Sequence, residues 1–427
     1  MTKINMKNDD PKENTAARRS SPKRRLLRRL GAALAAAGVL AVSVLSFSAC
    51  STLGELPEGE RLSRIEQSPH YRDGVFVNEE STSVNTSESS TLANWWNFLF
   101  ANPPRLRPSV PLSRAPLDVA ALKNETADFV IWMGHSSLFV QTGGRRILVD
   151  PVFAGFAAPL SLFNQAFDGP LPYSIEDFIK LGLDLVLITH DHYDHLEMQT
   201  IKALADTDVT FVVPLGIGQH LESWGVRPEQ ILEGDWGESF ELFAHSGAET
   251  PAAAAAETEH TNGPLKVSLV TARHFSGRFL TADKTLWAGF VLTCADGSQI
   301  YISGDSGYGR HFKEIAAAFP RIKLALIECG QYNPNWSLIH MSPEETAKAV
   351  DDLQAPKAIA LHSGRFALSL HPWDEPYLRL DKAAAQYSFE LLTPRMDELV
   401  YLDGREQHFE RWWLKDAQRE LAQEKQP

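Results

Sequence analysis

The spacing of apolar positions changes at Asp128. From there onward, apolar runs of strand length alternate with stretches in which apolar residues recur at helical spacing. This alternation predicts strands at residues 129–133, 138–142, 146–149, 183–189, 209–213, 266–271, 286–293, 299–303, 323–327 and 357–361. It predicts helices at residues 197–205, 312–319 and 343–353.

Turn and cap residues support this assignment. Gly143 and Gly144 separate the second and third runs as the two central residues of a hairpin turn. Ser342, followed by Glu345, has the sequence of a capping box at the start of a helix. Strands and helices in this order predict helices covering two packed sheets, an α/β architecture. The segment 246–264, with its run of alanines, is predicted to be a surface insertion between strands.

Residues 1–50 have the layout of an export signal. A basic stretch precedes an uncharged apolar run at residues 30–47, which is followed by Ser48, Ala49 and Cys50. This ending resembles a bacterial lipobox, in which the cysteine is acylated and becomes the mature N-terminus. The alternative is an uncleaved anchor, because about 18 apolar residues can just span a bilayer. Both predict an exported protein of the bacterial cell envelope, tethered by a lipid on Cys50 or by an N-terminal helix.

Composition divides the rest of the chain. Ser, Thr and Glu are abundant after the export signal, so residues 51–127 are predicted to be a tether and N-terminal extension that lets the folded part stand off the membrane. Residues 128–405 carry the strand and helix pattern and are predicted to form the globular domain, with residues 406–427 as a C-terminal helix or tail. A content of 44% hydrophobic residues over 427 positions is sufficient for a large core.

Aromatic pairs flank the predicted domain. Trp95 and Trp96 lie in a short apolar stretch that either packs on the core or dips into lipid. Trp412 and Trp413 form a second pair near the C-terminus. Together with the predicted anchor, these pairs are interpreted as support for a membrane-associated substrate.

Charge and cysteine content narrow the classes of partner. The net charge is −13 although the N-terminal stretch is basic, so the remainder is strongly acidic and repels phosphate backbones. A nucleic-acid partner is therefore not expected. Cys294 and Cys329 lie in apolar runs, where they are predicted to be buried thiols rather than a disulfide framework or catalytic groups.

The segment 188–196 concentrates metal-binding side chains directly after a predicted buried strand. In an extended backbone, positions two apart face the same way, so His190, His192 and Asp194 are predicted to converge. His195 has the opposite parity and reaches a second metal where the chain turns. Imidazole and carboxylate suit zinc, and burying such groups together without a cation is costly. The segment therefore predicts a metal site.

The pattern His-x-His-x-Asp-His in this segment resembles the signature of the metallo-β-lactamase superfamily. Later positions resemble the family's other ligands: His274 beyond a strand, Asp305 in a Gly-Asp-Ser loop, and His362 before Ser363 and Gly364. The resemblance implies an αββα sandwich, two packed mixed sheets flanked by helices. It also implies two Zn²⁺ ions, with Mn²⁺ or Fe²⁺ as alternatives, one held by His190, His192 and His274, the other by Asp194, His195 and His362, with Asp305 bridging them.

Within that superfamily, the chain resembles N-acylphosphatidylethanolamine phospholipase D and a group of bacterial RomA-like outer membrane proteins. The likeness is carried by short motifs at residues 132–137, 148–151, 192–196, 213–216, 304–308, 340–345 and 362–368. The chain departs from the phospholipase at Ser363, where that family has Trp, and at Cys329 and Gly330, where it has Gly and Ala. These departures lie near the predicted site and bear on lipid specificity.

The resemblance implies a zinc-dependent hydrolase whose favoured substrates are phosphoric diesters, phospholipids in particular. Asp194, Asp305 and His340 are then the predicted catalytic residues, with His340 as a general acid or an oxyanion donor. His135 and Asp150 are predicted to orient metal ligands. The alternatives are a hydrolase of β-lactams, lactones or thioesters, because fold does not fix function, and a non-catalytic metal-binding envelope protein.

Overall fold

Two seven-stranded sheets form the centre of the protein. The structure is a computed structural model that describes residues 51–87, 101, 103–243, 264–278 and 281–424. The predicted export signal, the pair Trp95 and Trp96, and nearly all of the alanine-rich insertion lie outside these residues.

The strands and helices follow one another along the whole described chain. The strands are β1 Tyr71–Arg72, β2 Val75–Phe76, β3 Phe129–Gly134, β4 Ser137–Thr142, β5 Arg145–Val149, β6 Leu185–Leu187, β7 Thr210–Pro214, β8 Ile231–Gly234, β9 Ser239–Leu242, β10 Leu265–Val270, β11 Gly277–Arg278, β12 Thr281–Ala282, β13 Gly289–Thr293, β14 Gln299–Ile302, β15 Ile322–Glu328, β16 Lys357–Leu361, β17 Glu390–Leu392 and β18 Leu399–Tyr401. The α-helices are α1 Gly59–Ile65, α2 Ile175–Leu181, α3 Met198–Ala205, α4 Ile217–Ser223, α5 His311–Ala318, α6 Pro343–Asp352, α7 Glu375–Ala384 and α8 Trp412–Glu424.

The two sheets share one plan. The first has the strand order β18-β3-β4-β5-β6-β7-β8, and the second has the order β9-β10-β13-β14-β15-β16-β17. In each sheet the first three pairings are antiparallel and the last three are parallel. Because parallel strands all end at the same edge, the loops that follow them gather there.

Alternate side chains of a strand face different cores. In β3, Val130 and Trp132 join a core formed by residues of both sheets, whereas Phe129 and Ile131 join a second core with helices α2, α3 and α4. A third core contains residues of the second sheet and of helices α5, α6 and α7. Helices thus cover the outer faces of both sheets, which confirms the predicted αββα sandwich.

Two predicted strands are too long. The apolar pattern predicts one strand at residues 183–189, but β6 ends at Leu187 because the amide of Thr189 leaves the ladder and donates to the Asp150 carboxylate at 2.8 Å. It predicts another at residues 286–293, but β13 begins only at Gly289. Both losses occur where the chain turns from the sheet into loops at the sheet edge.

Residues 51–87 pack against the sandwich. Ile65 of α1 and Phe76 of β2 are buried in the core between the sheets. Arg61 of α1 forms ion pairs with Glu222 at 2.7 Å and with Glu233 at 2.6 Å. The expectation of a tether is therefore wrong for these residues, because Ile65 and Phe76 are buried in the core and Arg61 is paired with carboxylates of the sandwich.

The second aromatic pair belongs to the interior. Trp412 and Trp413, at the start of α8, are each only 2% exposed. The ring centre of Trp412 lies 4.8 Å from that of Tyr377 and 6.2 Å from that of Trp132. This pair therefore gives no support for a membrane-associated substrate. Across the described ranges, each helix is too short or too polar to cross a bilayer.

The two cysteines that the structure describes carry free thiols. Cys329 is buried in the third core, and burial raises the pKa of its thiol to about 12. Cys294 is half-buried, with its sulfur 3.1 Å from the hydroxyl of Thr142. The prediction that they form no disulfide framework is confirmed for this pair.

We expect Ile65→Ala to lower the free energy of unfolding by about 2–5 kcal/mol, because it leaves a cavity in the core between the sheets. Urea unfolding followed by tryptophan fluorescence measures the change. Ser63→Ala, at an exposed position of the same helix, is the control and should shift stability by less than about 0.5 kcal/mol. An unchanged unfolding midpoint for Ile65→Ala would show that α1 is not part of the folded core.

Candidate metal centre

Histidine and aspartate side chains gather at one edge of the sandwich. The loop after β6 carries His190, His192, Asp194 and His195, and loops of the second sheet carry the others. His274 follows β10, Asp305 follows β14 and His362 follows β16. The structure thus brings together, in groups whose ligand atoms lie within 4.8 Å of one another, all the side chains predicted as metal ligands: His190, His192, Asp194, His195, His274, Asp305 and His362.

One group consists of His190, His192, His274 and Asp305. Nδ1 of His192 lies 2.8 Å from Nε2 of His190 and 3.3 Å from Nε2 of His274. Oδ2 of Asp305 lies 3.7 Å from Nε2 of His190 and 3.7 Å from Nε2 of His274. Three imidazoles and one carboxylate therefore surround a single point.

A second group consists of His135, Asp194, His195 and His362. Oδ2 of Asp194 lies 3.3 Å from Nε2 of His195 and 3.3 Å from Nε2 of His362. Nε2 of His195 also lies 3.2 Å from Oδ2 of Asp305. Asp305 therefore contacts both groups, as a bridging carboxylate does.

The parity argument from the sequence fails after His192. There the backbone turns instead of extending, with the amides of His195 and Leu196 donating to the carbonyl of His192 at 3.0 and 2.8 Å. The turn moves Asp194 away from His190 and His192 and into the group with His195. The partition implied by the family resemblance is the one that matches this geometry.

The chemistry of the donor set fits divalent cations. Nε2 of His195, Nε2 of His362 and Oδ1 of Asp305 are buried and make no hydrogen bond of normal geometry, although charged groups lie close to them. Buried polar atoms without partners carry a large desolvation penalty, which coordination of a cation removes. Imidazole nitrogens and carboxylate oxygens are the ligands that zinc and similar metals take in proteins.

Protonation states agree with this role. Burial lowers the pKa of His190 and His274 well below the ordinary value, so both rings are neutral and keep a lone pair for a metal. Burial opposes the charged form of Asp305, but His195 and His362 outweigh it and hold the pKa of this carboxyl well below the ordinary value. A negative carboxylate is thus retained beside the neutral rings of His190 and His274, while the same carboxylate raises the pKa of His195 and His362 against the effect of burial.

Further hydrogen bonds orient the rings. The Asp150 carboxylate lies 2.7 Å from Nδ1 of His195 and accepts from the hydroxyl of Thr189 at 2.7 Å. Nδ1 of His274 lies 3.0 Å from the carbonyl oxygen of Ile339. These contacts leave Nε2 of each ring facing the cluster, the arrangement that tunes metal-binding histidines.

Backbone strain is concentrated at the same place. His135, Asp150 and His362 have φ values of 54°, 43° and 62°, in the left-handed region that non-glycine residues rarely adopt. His135 and the segment after His362 also pair directly, since the His135 amide donates to the Ser363 carbonyl at 2.7 Å. Such strain persists only where surrounding contacts impose it, which is common at functional sites.

Glu328 is a site residue that the sequence reasoning missed. It is the last residue of the buried strand β15, and its Oε2 lies 2.7 Å from Nδ1 of His340 and 3.6 Å from Nδ1 of His362. The ring centre of His340 lies 4.9 Å from that of His274 and 5.2 Å from that of His362. The signal in the sequence was a charged residue ending an apolar strand, which is unusual unless that residue is paired.

Arg278 and Asp191 fix the backbone of the metal-binding loop through hydrogen bonds. The buried Arg278 guanidinium donates to the carbonyls of Asp191 and Leu196 at 2.5 and 3.1 Å and lies 4.1 Å from the centre of the Tyr193 ring. The Asp191 carboxylate accepts from the Gly277 amide at 2.7 Å. Asp191 therefore has a structural role, although it lies between two predicted ligands in the sequence.

The chain is similar to known proteins over most of its length. Residues 145–363 match the family model described as the Beta-lactamase superfamily domain. An uncharacterised protein of Mycobacterium tuberculosis is 34% identical over 353 residues, which cover 82% of this chain and 88% of that protein. The mitochondrial N-acyl-phosphatidylethanolamine-hydrolyzing phospholipase D of Saccharomyces cerevisiae is 30% identical over 265 residues, 61% of this chain and 52% of that protein. The outer membrane protein RomA of Klebsiella pneumoniae is 50% identical over 101 residues, 24% of this chain and 76% of that protein.

We expect Asp150→Asn to weaken zinc binding about 10–100-fold, because an amide NH₂ in place of the carboxylate disturbs the hydrogen bond that orients His195. Competition with a chromogenic chelator measures the affinity. Asp128→Asn is the matched control, since that carboxylate also accepts from a threonine hydroxyl and a backbone amide, those of Thr142 and Gly143. Equal zinc affinities in the wild type and Asp150→Asn would contradict the orienting role.

Proposed function

The chain belongs to the beta-lactamase superfamily, and from this premise we propose that it is a zinc-dependent phosphodiesterase of the bacterial cell envelope that hydrolyses phospholipid-type substrates. The coarser statement, a metal-dependent hydrolase, follows from the family and from the His/Asp groups. The phosphodiester substrate, the zinc pair and the envelope location are proposals.

The observation that carries the proposal is that Asp305 joins two complete ligand groups. It lies 3.7 Å from His190 and His274 in one group and 3.2 Å from His195 in the other. Two cations held this way would polarise a phosphoryl oxygen. They would also lower the pKa of a water molecule, so that hydroxide would be available to attack at neutral pH. The proposed ligands are His190, His192 and His274 for one ion and Asp194, His195 and His362 for the other.

His340 is the proposed proton donor to the leaving alcohol. Its Nδ1 is engaged by the buried carboxylate of Glu328, so Nε2 is the nitrogen left to face a substrate. Its ring stands beside one histidine of each group, His274 and His362, and its side chain is partly exposed. A general acid at this place would assist departure of an alkoxide.

The substrate class is supported by a large cavity next to the centre. A space of about 900 Å³ is lined by apolar side chains, by the arginines Arg114 and Arg365, and by the carboxylates of Asp168, Glu176 and Glu197. Arg365 lies three positions after His362. The buried Arg365 guanidinium donates to the carbonyls of Val152 and Ala154 at 2.6 and 2.8 Å. Its charge therefore has no carboxylate partner in the described part of the chain. The apolar part of this wall suits acyl chains, and the Arg365 cation beside it suits an anionic headgroup.

The yeast relative supports the same class, because its name describes hydrolysis of N-acyl-phosphatidylethanolamine. The match covers about half of that protein, so its substrate is carried over here only as part of the proposal. The Ser363 hydroxyl, at the position where the phospholipase has Trp, is buried beside Tyr377. A narrower or different headgroup preference than that of the phospholipase is compatible with this change.

Removal of metal and the substitution Asp305→Asn should each lower hydrolysis by about 100-fold or more. Removal empties both ligand groups, and the substitution takes away the carboxylate that contacts both. The measurement is release of headgroup from glycerophospholipids and of p-nitrophenol from bis(p-nitrophenyl) phosphate, with zinc restored at the end. Wild type should recover and Asp305→Asn should not, while Asp128→Asn behaves as wild type. Absence of metal-dependent release of either product would refute the proposal, and a panel of nitrocefin, lactones and thioesters would then identify another hydrolase.

His340→Gln should lower kcat about 100-fold for a phospholipid, whose alkoxide leaves poorly without a proton. The same variant should lower kcat only a few-fold for bis(p-nitrophenyl) phosphate, whose p-nitrophenolate needs little help. Glu328→Gln should show the same pattern more weakly. Equal losses on both substrates would indicate that His340 is structural.

A further inference from the structure

The loop after β5 forms an ordered hairpin, residues 154–166, which we call the apolar hairpin. The amide of Ala166 donates to the carbonyl of Gly155 at 2.8 Å, and the amide of Ala157 donates to that of Asn164 at 3.0 Å. At the tip, the amide of Phe163 donates to the carbonyl of Leu160 at 3.1 Å. Backbone polar groups of the tip are thus partly satisfied within the hairpin itself.

The tip of the apolar hairpin presents large apolar side chains to the outside. Leu162 is 72% exposed and Phe163 is 51% exposed, and Leu162 is the most exposed large apolar side chain that the structure describes. Residues 151–167 contain no charged residue. An ordered, uncharged surface segment of this kind marks a contact site for an apolar partner.

The N-terminal end of the described chain lies against the same hairpin. The hydroxyl of Thr52 donates to the carbonyl of Pro159 at 3.2 Å. The carbonyl of Thr52 accepts from Arg278 at 2.6 Å, and that of Ser51 accepts from the Trp224 indole at 2.9 Å. Only three residues separate Ser51 from the apolar run at 30–47 in the sequence. The point from which a membrane attachment would extend is therefore fixed beside the hairpin.

The base of the hairpin is tied to the metal centre. Arg365 donates to the carbonyl of Ala154 at 2.8 Å, and the Arg365 carbonyl accepts from the amide of Phe167 at 2.7 Å. Arg365 lies three positions after His362. The hairpin also follows β5, whose parallel neighbour β6 ends in the metal-binding loop, so both loops lie at the same edge of the sheet.

We propose that the apolar hairpin inserts Leu162 and Phe163 into the interfacial region of a lipid bilayer, next to the chain's own attachment point. The occupant is a lipid surface for two reasons. The membrane attachment expected from the sequence precedes Thr52, which contacts the hairpin at Pro159. The hairpin contains no charged residue that would favour a charged protein partner. Contact there turns the edge that carries the metal centre toward the bilayer. The inference rests on the proposed envelope attachment and does not require that phospholipids be hydrolysed.

The test uses the full chain in vesicles of phosphatidylcholine and phosphatidylethanolamine, with the environment-sensitive fluorophore NBD on Phe163→Cys. The control label is on Asp208→Cys, a fully exposed position before β7 begins and thus at the opposite edge of the sheet. Signal from the parent chain, labelled at its native cysteines, is subtracted. Emission at position 163 should shift to shorter wavelength and be quenched by lipids brominated on their acyl chains, while emission at 208 does neither.

Two results overturn the proposal. One is a label at 163 that behaves like the label at 208. The other is a label at 163 that is shielded from water but insensitive to brominated lipids, which would assign the hairpin to a second copy of the chain or to another protein. Neither result depends on enzymatic activity, so failure of the proposed hydrolysis does not affect the reading.

A second arm connects the hairpin to turnover. Leu162→Ser combined with Phe163→Ser should lower hydrolysis of vesicle phospholipid by about tenfold or more, because two apolar side chains no longer enter the lipid. Hydrolysis of soluble bis(p-nitrophenyl) phosphate should stay unchanged. Leu414→Ser, which removes an exposed leucine from α8, is the matched control and should change neither rate. A parallel loss on the soluble substrate would mean that the hairpin supports the centre rather than a membrane contact.

Discussion

The structure depends on how it accommodates imidazole and carboxylate groups that are buried together at the edge of an apolar sandwich. Such groups lose their hydration and are stable there only when each is paired or coordinated. Asp150 engages His195, Glu328 engages His340, and Arg278 holds the carbonyls of the loop between them. The sheets contribute rigid strand ends from which these side chains project. Nε2 of His195, Nε2 of His362 and Oδ1 of Asp305, which make no hydrogen bond of normal geometry, lie at the place where a cation would be bound.

The layered fold could be predicted because its strands alternate between two apolar environments and its turns use glycine. The Gly143-Gly144 turn has positive φ at both residues, as a tight hairpin requires, and the capping box of Ser342 and Glu345 is formed. Edge strands such as β17 and β18 could not be predicted, because three residues are too few to show a period. The packing of Ile65 could not be predicted either, because its partners lie in strands distant in sequence.

The site divides in the same way. Ligands that lie close together in the sequence at a regular spacing, such as His190 and His192, could be predicted. The ligand group that Asp194 joins depends on the backbone turn after His192. Alternation along an extended strand places Asp194 with His190 and His192, which is wrong. Glu328 reaches His340 only because β15 ends beside the loop that carries it, which is a property of the sheet. Likewise, Asn78 accepts a hydrogen bond from the His274 amide at 3.1 Å, although 196 positions separate the two residues. Composition alone places Asn78 in a tether.

Both ligand groups draw on both sheets. The first combines His190 and His192 with His274 and Asp305, and the second combines His135, Asp194 and His195 with His362. A cation at either place therefore connects the two halves of the chain in the manner of a cross-link, closing loops of many residues. Neither half contains a full coordination shell, so a truncated or half-folded chain has no competent site. We therefore expect metal binding to report on correct assembly of the complete sandwich.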